Sequence, residues 1–329
     1  MRESLQVLDQ VRLHFNQGGL FVLNLTLAFI MFGVALGIKP VHFKRVVNNP
    51  RTTLIGVFSQ FIALPAVTFL LVWIFHSFIT PTVGLGMILV ASCPGGNISN
   101  FISALARANA ALSVTLTAIA TLLAIFMTPL NFAIWGGFFL DLYAHTTFAG
   151  GALPSLHIDA WQMFRTVLIL LGIPLLLGIV VNQKLPKLTE RIFSPMKILS
   201  IFLFLLIVAL AFRNNFEFFV KYIKFIFLIV LIHNMVAFLT GYGLAALFKR
   251  NKKDRRTISI ETGIQNSGLG LVLLFNPKIF PPDLAIGGMA FIAAWWGIWH
   301  IIAGLSLAAL WGRGPRRKGF GKGRKKENT

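Results

Sequence analysis

The chain has 329 residues, of which 56% are hydrophobic and only 12% are charged. Soluble domains contain about 25% charged residues, so this composition, with a mean hydropathy of +0.78, excludes an ordinary soluble domain. The net charge of +20 suggests nucleic acid as a partner, but 23 of the 30 lysine and arginine residues lie in every second predicted loop or in the C-terminal tail. That alternation is the positive-inside pattern of a membrane protein, so we expect no nucleic acid.

Apolar stretches of bilayer-spanning length recur along the chain and predict an all-α polytopic membrane protein. The nine predicted transmembrane helices are residues 18–38, 52–76, 82–106, 110–136, 163–182, 197–212, 218–248, 257–276 and 284–311. Residues 1–17 are too polar for a span and predict an amphipathic segment at the membrane interface. Residues 312–329 are a basic tail. The odd number of spans and the basic loops predict an external N-terminus and a cytoplasmic C-terminus.

Two of the nine spans have polar, glycine-rich interruptions. The third contains "PGGNISN" (residues 94–100), and the eighth contains "ETGIQNSGLG" (residues 261–270). A helix broken within the bilayer is tolerated only where protein or a polar cavity surrounds the freed backbone groups. Interruptions at matching places in two halves indicate a transporter site built on an inverted repeat. An offset of five spans gives the two repeats opposite orientations, as such a repeat requires.

Glu261 is the only one of the ten acidic residues that lies inside a predicted span. A carboxylate at bilayer depth costs at least ~2.5 kcal/mol, and it therefore indicates a function. Three interpretations stay open from the residues alone: a protonated structural carboxyl, a proton carrier, or a ligand of a metal cation. Gln265 lies one helical turn later on the same face. The neighbouring oxygen groups favour a hard monovalent cation over a transition metal.

Other polar positions in the spans are ambiguous by themselves. Ser113, Thr117 and Thr121 form a hydroxyl stripe on the fourth span, and Gln60 lies in the middle of the second. Such side chains often bond to their own helix or join two helices. The seven histidines show no metal-ligand spacing, and no motif for ATP binding, hydrolysis or dinucleotide binding is present. We therefore expect no enzyme.

Residues 92–122 and 260–274, which contain the two interruptions, resemble the signature segments of the bile acid:sodium symporter family. Residues 31–65 are similar to the second and third helices of its ten-helix bacterial members, and the similarity continues in order over about residues 20–310. The resemblance implies that the first helix of those members is missing here.

The resemblance also implies a two-domain architecture. Residues 18–38 and 163–212 would form a panel domain, and residues 52–136 and 218–311 a core domain in which the two broken helices cross.

Two sodium sites are implied by the same resemblance. The first comprises Ser99, Asn100, Ser113, Thr117 and Glu261. The second comprises Gln60, Glu261, Gln265 and the backbone carbonyl groups of Thr262 and Ile264. Every side-chain ligand of both sites is present in the sequence.

The implied substrate-binding residues are Asn97, Asn266 and His300. Ile301 stands where the bile-acid-binding members have an asparagine, so bile acid is not indicated as the substrate, and no oligomeric state is indicated either. The prediction is a sodium-coupled symporter of a bacterial inner membrane that imports a small organic anion by alternating access, with two sodium ions per substrate. A proton-coupled organic anion carrier that uses Glu261 and a membrane sensor with a structural cation site are the alternatives.

Overall fold

The computed structural model describes residues 2–9, 17–39, 41, 44, 49–145, 159–213, 216–281 and 284–313. Within these ranges the structure is helical, and its one strand-like feature there is an isolated β-bridge. Five helices are long and apolar enough to cross a bilayer, namely Pro50–Ile74, Ala110–Ala144, Ala160–Lys184, Ile223–Leu247 and Gly287–Gly312. The predicted all-α membrane fold is confirmed to this extent.

We number the helices in chain order. They are α1 (Arg2–Asp9), α2 (Gln17–Ala35), α3 (Pro50–Ile74), α4 (Pro81–Ser92), α5 (Ile98–Leu105), α6 (Ala110–Ala144), α7 (Ala160–Lys184), α8 (Pro186–Arg213), α9 (Phe216–Leu247), α10 (Lys252–Gly263), α11 (Ser267–Leu274) and α12 (Gly287–Gly312). Each uninterrupted predicted span coincides with one helix, and each interrupted span coincides with two. Nine membrane crossings remain a prediction.

Two helices extend well beyond the predicted spans. Helix α8 begins at Pro186 rather than at residue 197, and α6 continues to Ala144 rather than ending at residue 136. A hydropathy window ends where polar residues begin, whereas a helix can continue beyond the apolar zone of the bilayer. The loop predicted at residues 137–162 is therefore shorter than expected. Its residues 146–158 and the tail residues 314–329 lie outside the described residues.

Large apolar side chains are exposed on the outside of the helices. Leu176 of α7 is 62% exposed and Leu239 of α9 is 60% exposed. Leu54, Ile74, Phe138 and Leu310 are also exposed. A large exposed apolar surface is unfavourable in water but is what contact with lipid requires. The described helices are therefore those of a multi-pass membrane protein.

Helices α2, α7 and α8, which correspond to the predicted panel domain, pack against one another. Gly178 of α7 lies so close to α2 that an added Cβ would be 2.7 Å from the carbonyl oxygen of Phe32. Close approach at small residues is typical of helix packing in membranes. The packing is compatible with a panel domain, while its independent movement remains a prediction.

The N-terminal helix α1 is anchored on other helices of the protein. Leu5 is fully buried, whereas the adjacent Gln6 and Val7 are exposed. An amphipathic segment over residues 1–17 remains a prediction. The Asp9 carboxylate accepts hydrogen bonds from Thr80, at 2.8 Å, and from Thr82 at the start of α4. Helix α1 also contacts α9 and α12. Its polarity predicted a place at the interface but did not indicate these contacts.

Candidate cation and substrate site

The two helix interruptions lie against each other. Gly95, between α4 and α5, forms an antiparallel bridge with Gln265, between α10 and α11. The Gly96 N–H donates to the Ile264 carbonyl at 2.7 Å, and the Asn266 N–H donates to the Pro94 carbonyl at 2.8 Å. Each interruption thus satisfies backbone groups freed by the other, which allows both helices to break at membrane depth.

Local chemistry explains why the first break occurs at this position. A proline disfavours helical conformation in the preceding residue, and Cys93 is extended, with φ −73° and ψ 159°. Gly95 then permits close contact with the site. A Cβ at this position would lie 2.6 Å from Gln60 Nε2 and 3.1 Å from Glu261 Oε2. A side chain here would collide with two of the predicted ligands.

Glu261 is fully buried, and its carboxylate is surrounded by hydroxyl groups. Its Oε1 accepts hydrogen bonds from Ser99 Oγ at 2.6 Å and from Ser113 Oγ. Thr117 Oγ1 lies 3.2 Å from Glu261 Oε1, 3.1 Å from Oε2 and 3.3 Å from Asn100 Oδ1. The structure thus brings together all five residues predicted for the first sodium site.

The Thr117 hydroxyl has more oxygen neighbours than protons to donate. Its single proton faces four oxygens within hydrogen-bonding distance, namely the two carboxylate oxygens of Glu261, Asn100 Oδ1 and, at 3.4 Å, Ser99 Oγ. At least two of these contacts therefore receive no proton from Thr117 at any moment. A cation placed among these oxygens would interact favourably with all of them.

The residues predicted for the second site surround the end of α10. Gln60 Nε2 donates to the Glu261 carbonyl at 2.9 Å, and Gln265 Nε2 donates to the Thr262 carbonyl at 2.7 Å. The amide oxygens of Gln60 and Gln265 are buried and have no hydrogen-bond partner within the described residues. The Ile264 carbonyl accepts from Gly96 and retains a second lone pair. These oxygens fit a hard cation.

A π-helical turn in α3, Ser59–Ala63, positions Gln60. The Leu64 N–H donates to the Ser59 carbonyl, which widens the helix by one residue just before Pro65. Proline lacks the N–H of a regular helix, and π-helical turns often occur at functional sites. Ser59 Oγ lies 2.8 Å from Thr262 Oγ1, which holds α3 against α10.

Two groups near the second site, Ser59 and Asn234, were not among the residues predicted for it. Asn234 of α9 donates from Nδ2 to the Gly263 carbonyl at 2.7 Å, and it is almost fully buried. Both are polar residues within predicted spans, and a survey of every intramembrane amide and hydroxyl would have included them.

The predicted substrate residues occupy two kinds of environment. Asn97 and Asn266 precede the second halves of the broken helices and are partly exposed. His300 of α12 is 4% exposed, and its Nδ1 has no hydrogen-bond partner among the described residues. One turn later, Gly304 packs against Ile102 and Ile264. Asn97 and Asn266 thus flank the paired breaks, and His300 lies one turn before Gly304.

Transition-metal ligands are not grouped in the described ranges. No set of three or more histidine, cysteine, aspartate or glutamate residues there could hold a metal ion. The polar groups of the site are carboxylate, amide, hydroxyl and backbone oxygens, which are ligands of hard cations.

Comparison with known proteins gives a consistent set of relatives. Residues 24–222 match the sequence model described as the Sodium Bile acid symporter family. The chain is 31% identical over 299 residues to "Uncharacterized sodium-dependent transporter YocS" of Bacillus subtilis (strain 168), which covers 91% of the chain and 85% of the relative. It is 28% identical over 298 residues to the "Hepatic sodium/bile acid cotransporter" of Rattus norvegicus, covering 88% and 76%.

A plant relative is similar over a smaller part of its length. The chain is 30% identical over 279 residues to "Probable sodium/metabolite cotransporter BASS2, chloroplastic" of Oryza sativa subsp. japonica. The match covers 82% of the chain and 62% of that relative, so the chain spans less than two thirds of it.

Proposed function

Because the chain belongs to the sodium bile acid symporter family, we propose that it imports a small organic anion together with two sodium ions. The family and its relatives make the protein a sodium-coupled membrane transporter and not an enzyme. The substrate class, the number of ions and the mechanism are the proposed part.

The single observation that supports the first ion most strongly is the environment of Glu261. This carboxylate is fully buried among the hydroxyl groups of Ser99, Ser113 and Thr117. An ionised group at this depth requires a compensating charge. A sodium ion beside Oε2 and Asn100 Oδ1 would supply that charge and coordinate the acceptors that Thr117 leaves without a proton.

The second ion is supported by the orientation of two amides. Gln60 and Gln265 use their N–H groups on backbone carbonyls, and their oxygens are buried without a partner among the described residues. A buried acceptor without a partner costs about 1–3 kcal/mol. A sodium ion between these oxygens and the carbonyls of Thr262 and Ile264 would remove that cost. Glu261 lies between both groups of ligands, so its charge would serve both ions.

The substrate would bind beside the paired breaks. Helices α5 and α11 begin there, each preceded by a partly exposed asparagine, Asn97 or Asn266. A helix N-terminus carries partial positive charge, which favours an anion. Sodium would order the breaks first, and the two helix ends would then attract the anion. His300 would contact the substrate from α12.

Transport would proceed by movement of the panel helices α2, α7 and α8 relative to the core. Their packing against one another supports a single moving unit. The site would then open alternately to each side of a bacterial inner membrane. We infer from the positive-inside pattern that the N-terminus is external and the basic tail cytoplasmic.

Flux in proteoliposomes tests this function. Two sodium ions and a monovalent anion carry one net positive charge inward, and each charge gains ~2.3 kcal/mol per 100 mV. We expect uptake to require an inward sodium gradient and to increase with an inside-negative potential. Uptake that responds to neither would overturn the proposal.

The proton-coupled alternative makes the opposite predictions for two variants. If Glu261 carried only a proton, Gln60→Ala and Asn100→Ala would leave flux almost unchanged, and flux would follow the pH gradient. We expect both variants to lose sodium-dependent flux. A membrane sensor, in contrast, would be stabilised by sodium in thermal unfolding without any flux in the wild type.

A thermal-shift screen of organic anions identifies the substrate class. Each compound is added to the purified protein in sodium chloride and, separately, in potassium chloride. A transported anion should raise the melting temperature only in sodium, because binding of ion and anion are coupled. Equal shifts in both salts would argue against coupling at this site.

A further inference from the structure

We propose that Asn234 is an additional ligand of the second sodium ion, a role that rests on the proposed function. The side chain projects from α9, a helix that contributes no residue to either predicted sodium site. Its amide makes the same kind of contact as the amides of Gln60 and Gln265. In each, the NH2 group donates to a backbone carbonyl at the end of α10, and the amide oxygen has no partner among the described residues.

Three successive carbonyls at the end of α10 each accept a hydrogen bond from a side-chain amide. The Glu261 carbonyl accepts from Gln60 at 2.9 Å, the Thr262 carbonyl from Gln265 at 2.7 Å, and the Gly263 carbonyl from Asn234 at 2.7 Å. The three donors come from α3, from the second break and from α9. Side chains from three directions thus converge on one short stretch of backbone.

The carbonyl partners determine which way each amide faces. A carbonyl can only accept, so the NH2 group must point toward it and the amide oxygen must point elsewhere. In all three residues that oxygen, Oε1 of Gln60 and Gln265 and Oδ1 of Asn234, is buried without a partner in the described part of the chain. Because oxygen and nitrogen share one carbon, each oxygen remains beside the peptide group that its nitrogen contacts.

The position of Asn234 is fixed by its surroundings. The preceding residue, His233, lies 2.9 Å from Thr68 Oγ1 through its Nε2, and its ring contacts Trp296 at 4.7 Å between centroids. Helices α9 and α10 are also close: a Cβ on Gly241 would lie 2.6 Å from the Ile258 carbonyl oxygen. This proximity lets the short asparagine side chain reach the backbone of α10. An amide oxygen positioned by such contacts is well suited to ion coordination.

Asn234 therefore adds one neutral oxygen to the ligands from α3 and α10. A neutral oxygen suits a monovalent hard cation, since it contributes coordination without another negative charge. The ion would then contact three helices and would join α9 to the broken helix.

The test measures the sodium dissociation constant of the full chain from the sodium dependence of its melting temperature, in a potassium background. We expect Asn234→Leu to raise the dissociation constant roughly tenfold, through loss of a ligand oxygen. Asn234→Asp places a second acid beside Glu261, so its carboxyl group should bind a proton. Its O–H then replaces the NH2 group that faces the Gly263 carbonyl, and its C=O oxygen replaces Oδ1. We expect its dissociation constant to stay within roughly threefold of the wild-type value. A loss of affinity in Asn234→Leu that Asn234→Asp does not share would identify a ligand oxygen.

Ser259→Ala is the matched control. Ser259 is buried in the same α9–α10 contact, and its Oγ donates to the Phe238 carbonyl at 2.8 Å. Its loss should lower the sodium-free melting temperature and leave the sodium dissociation constant unchanged. If Asn234→Leu leaves the sodium dissociation constant unchanged, as this control should, or if Asn234→Asp raises it as much as Asn234→Leu does, Asn234 only supports the fold and the inference is wrong.

The outcomes separate this inference from the proposed function. A wild-type protein without a sodium-specific shift would overturn sodium coupling itself. A wild-type shift that Asn234→Leu leaves unchanged would overturn only the additional ligand. If Asn234→Leu does not fold, Asn234→Ala, which removes the same oxygen with a smaller side chain, is compared with Asn234→Asp in its place.

Discussion

The two helix breaks contact each other yet contribute different chemistry. The first, between α4 and α5, contains Pro94, Gly95 and Gly96 and has no charged residue. The second, between α10 and α11, follows Glu261 and includes Gln265. An inverted repeat would allow both halves to carry the same ligands, but here the acid lies in only one of them.

Because of this difference, a single carboxylate serves the whole crossing of the two broken helices. The first break supplies close approach and backbone groups, since Gly95 lies against Gln60 and Glu261 and Gly96 donates to Ile264. The second supplies the charge. Two acids facing each other at this depth would repel, and one would bind a proton instead of sodium. A single acid beside a glycine-rich break avoids that competition.

Removal of the charge in the second break should have the largest effect. Glu261→Gln keeps the shape of the side chain but removes the negative charge that compensates the cations. We expect sodium affinity to fall by about 2–5 kcal/mol, which is roughly thirtyfold or more, with loss of sodium-driven flux. Sodium-dependent thermal stabilisation and flux measure this effect.

Asp254→Asn is the control for that variant. Asp254 lies on the same helix and is buried, but it accepts hydrogen bonds from Asn109, at 2.8 Å, and from Asn251, at 2.6 Å. Asp254→Asn should lower the melting temperature, through loss of these hydrogen bonds, and leave the stabilisation by sodium unchanged. Equal loss of sodium binding in both variants would contradict a specific role for Glu261.

A side chain in the first break should have the next largest effect. In Gly95→Ala the new Cβ would lie 2.6 Å from Gln60 Nε2 and 3.1 Å from Glu261 Oε2. We expect overpacking to cost about 1–3 kcal/mol and to weaken sodium binding as Gln60 is displaced. Sodium titration of the melting temperature reports both quantities.

Gly270→Ala provides the comparison at a helical position. Its Cβ would meet only Cys93 Sγ at 3.6 Å, an ordinary contact. Alanine is favoured over glycine within a helix by about 1 kcal/mol, so this variant should be as stable as the wild type or more stable. A sodium affinity in Gly95→Ala that matches Gly270→Ala would show that the first break does not shape the site.

The positions of the helices and of the two breaks were predictable because they depend on local composition. Apolar length marks the helices, and Pro94 marks the first interruption. The family resemblance supplied the candidate ligands, and the structure places Gln60, Ser99 and Ser113 around Glu261.

Other features were not predictable because they depend on residues far apart in the sequence. The pairing of Gly95 with Gln265 and the contact of Asn234 with Gly263 are set by the packing of separate helices. The same holds for Asp9 of α1 and its hydrogen bond to Thr80. A sequence pattern reports which residues are polar in a span, and tertiary packing decides which of them meet.

The smallest expected effect concerns the two asparagines that precede the second halves of the broken helices, Asn97 before α5 and Asn266 before α11. Asn266 Oδ1 accepts a hydrogen bond from the Leu269 N–H at 3.2 Å and caps α11, whereas Asn97 makes no side-chain capping bond to α5. Asn266→Ala should therefore reduce stability by about 0.5–2 kcal/mol, and Asn97→Ala should reduce it by much less. If both asparagines contact the anion, both variants should nevertheless weaken the anion-dependent thermal shift in sodium. A variant that loses stability but retains the full anion shift would limit that asparagine to capping, and the anion would then be held by the other half of the crossing alone.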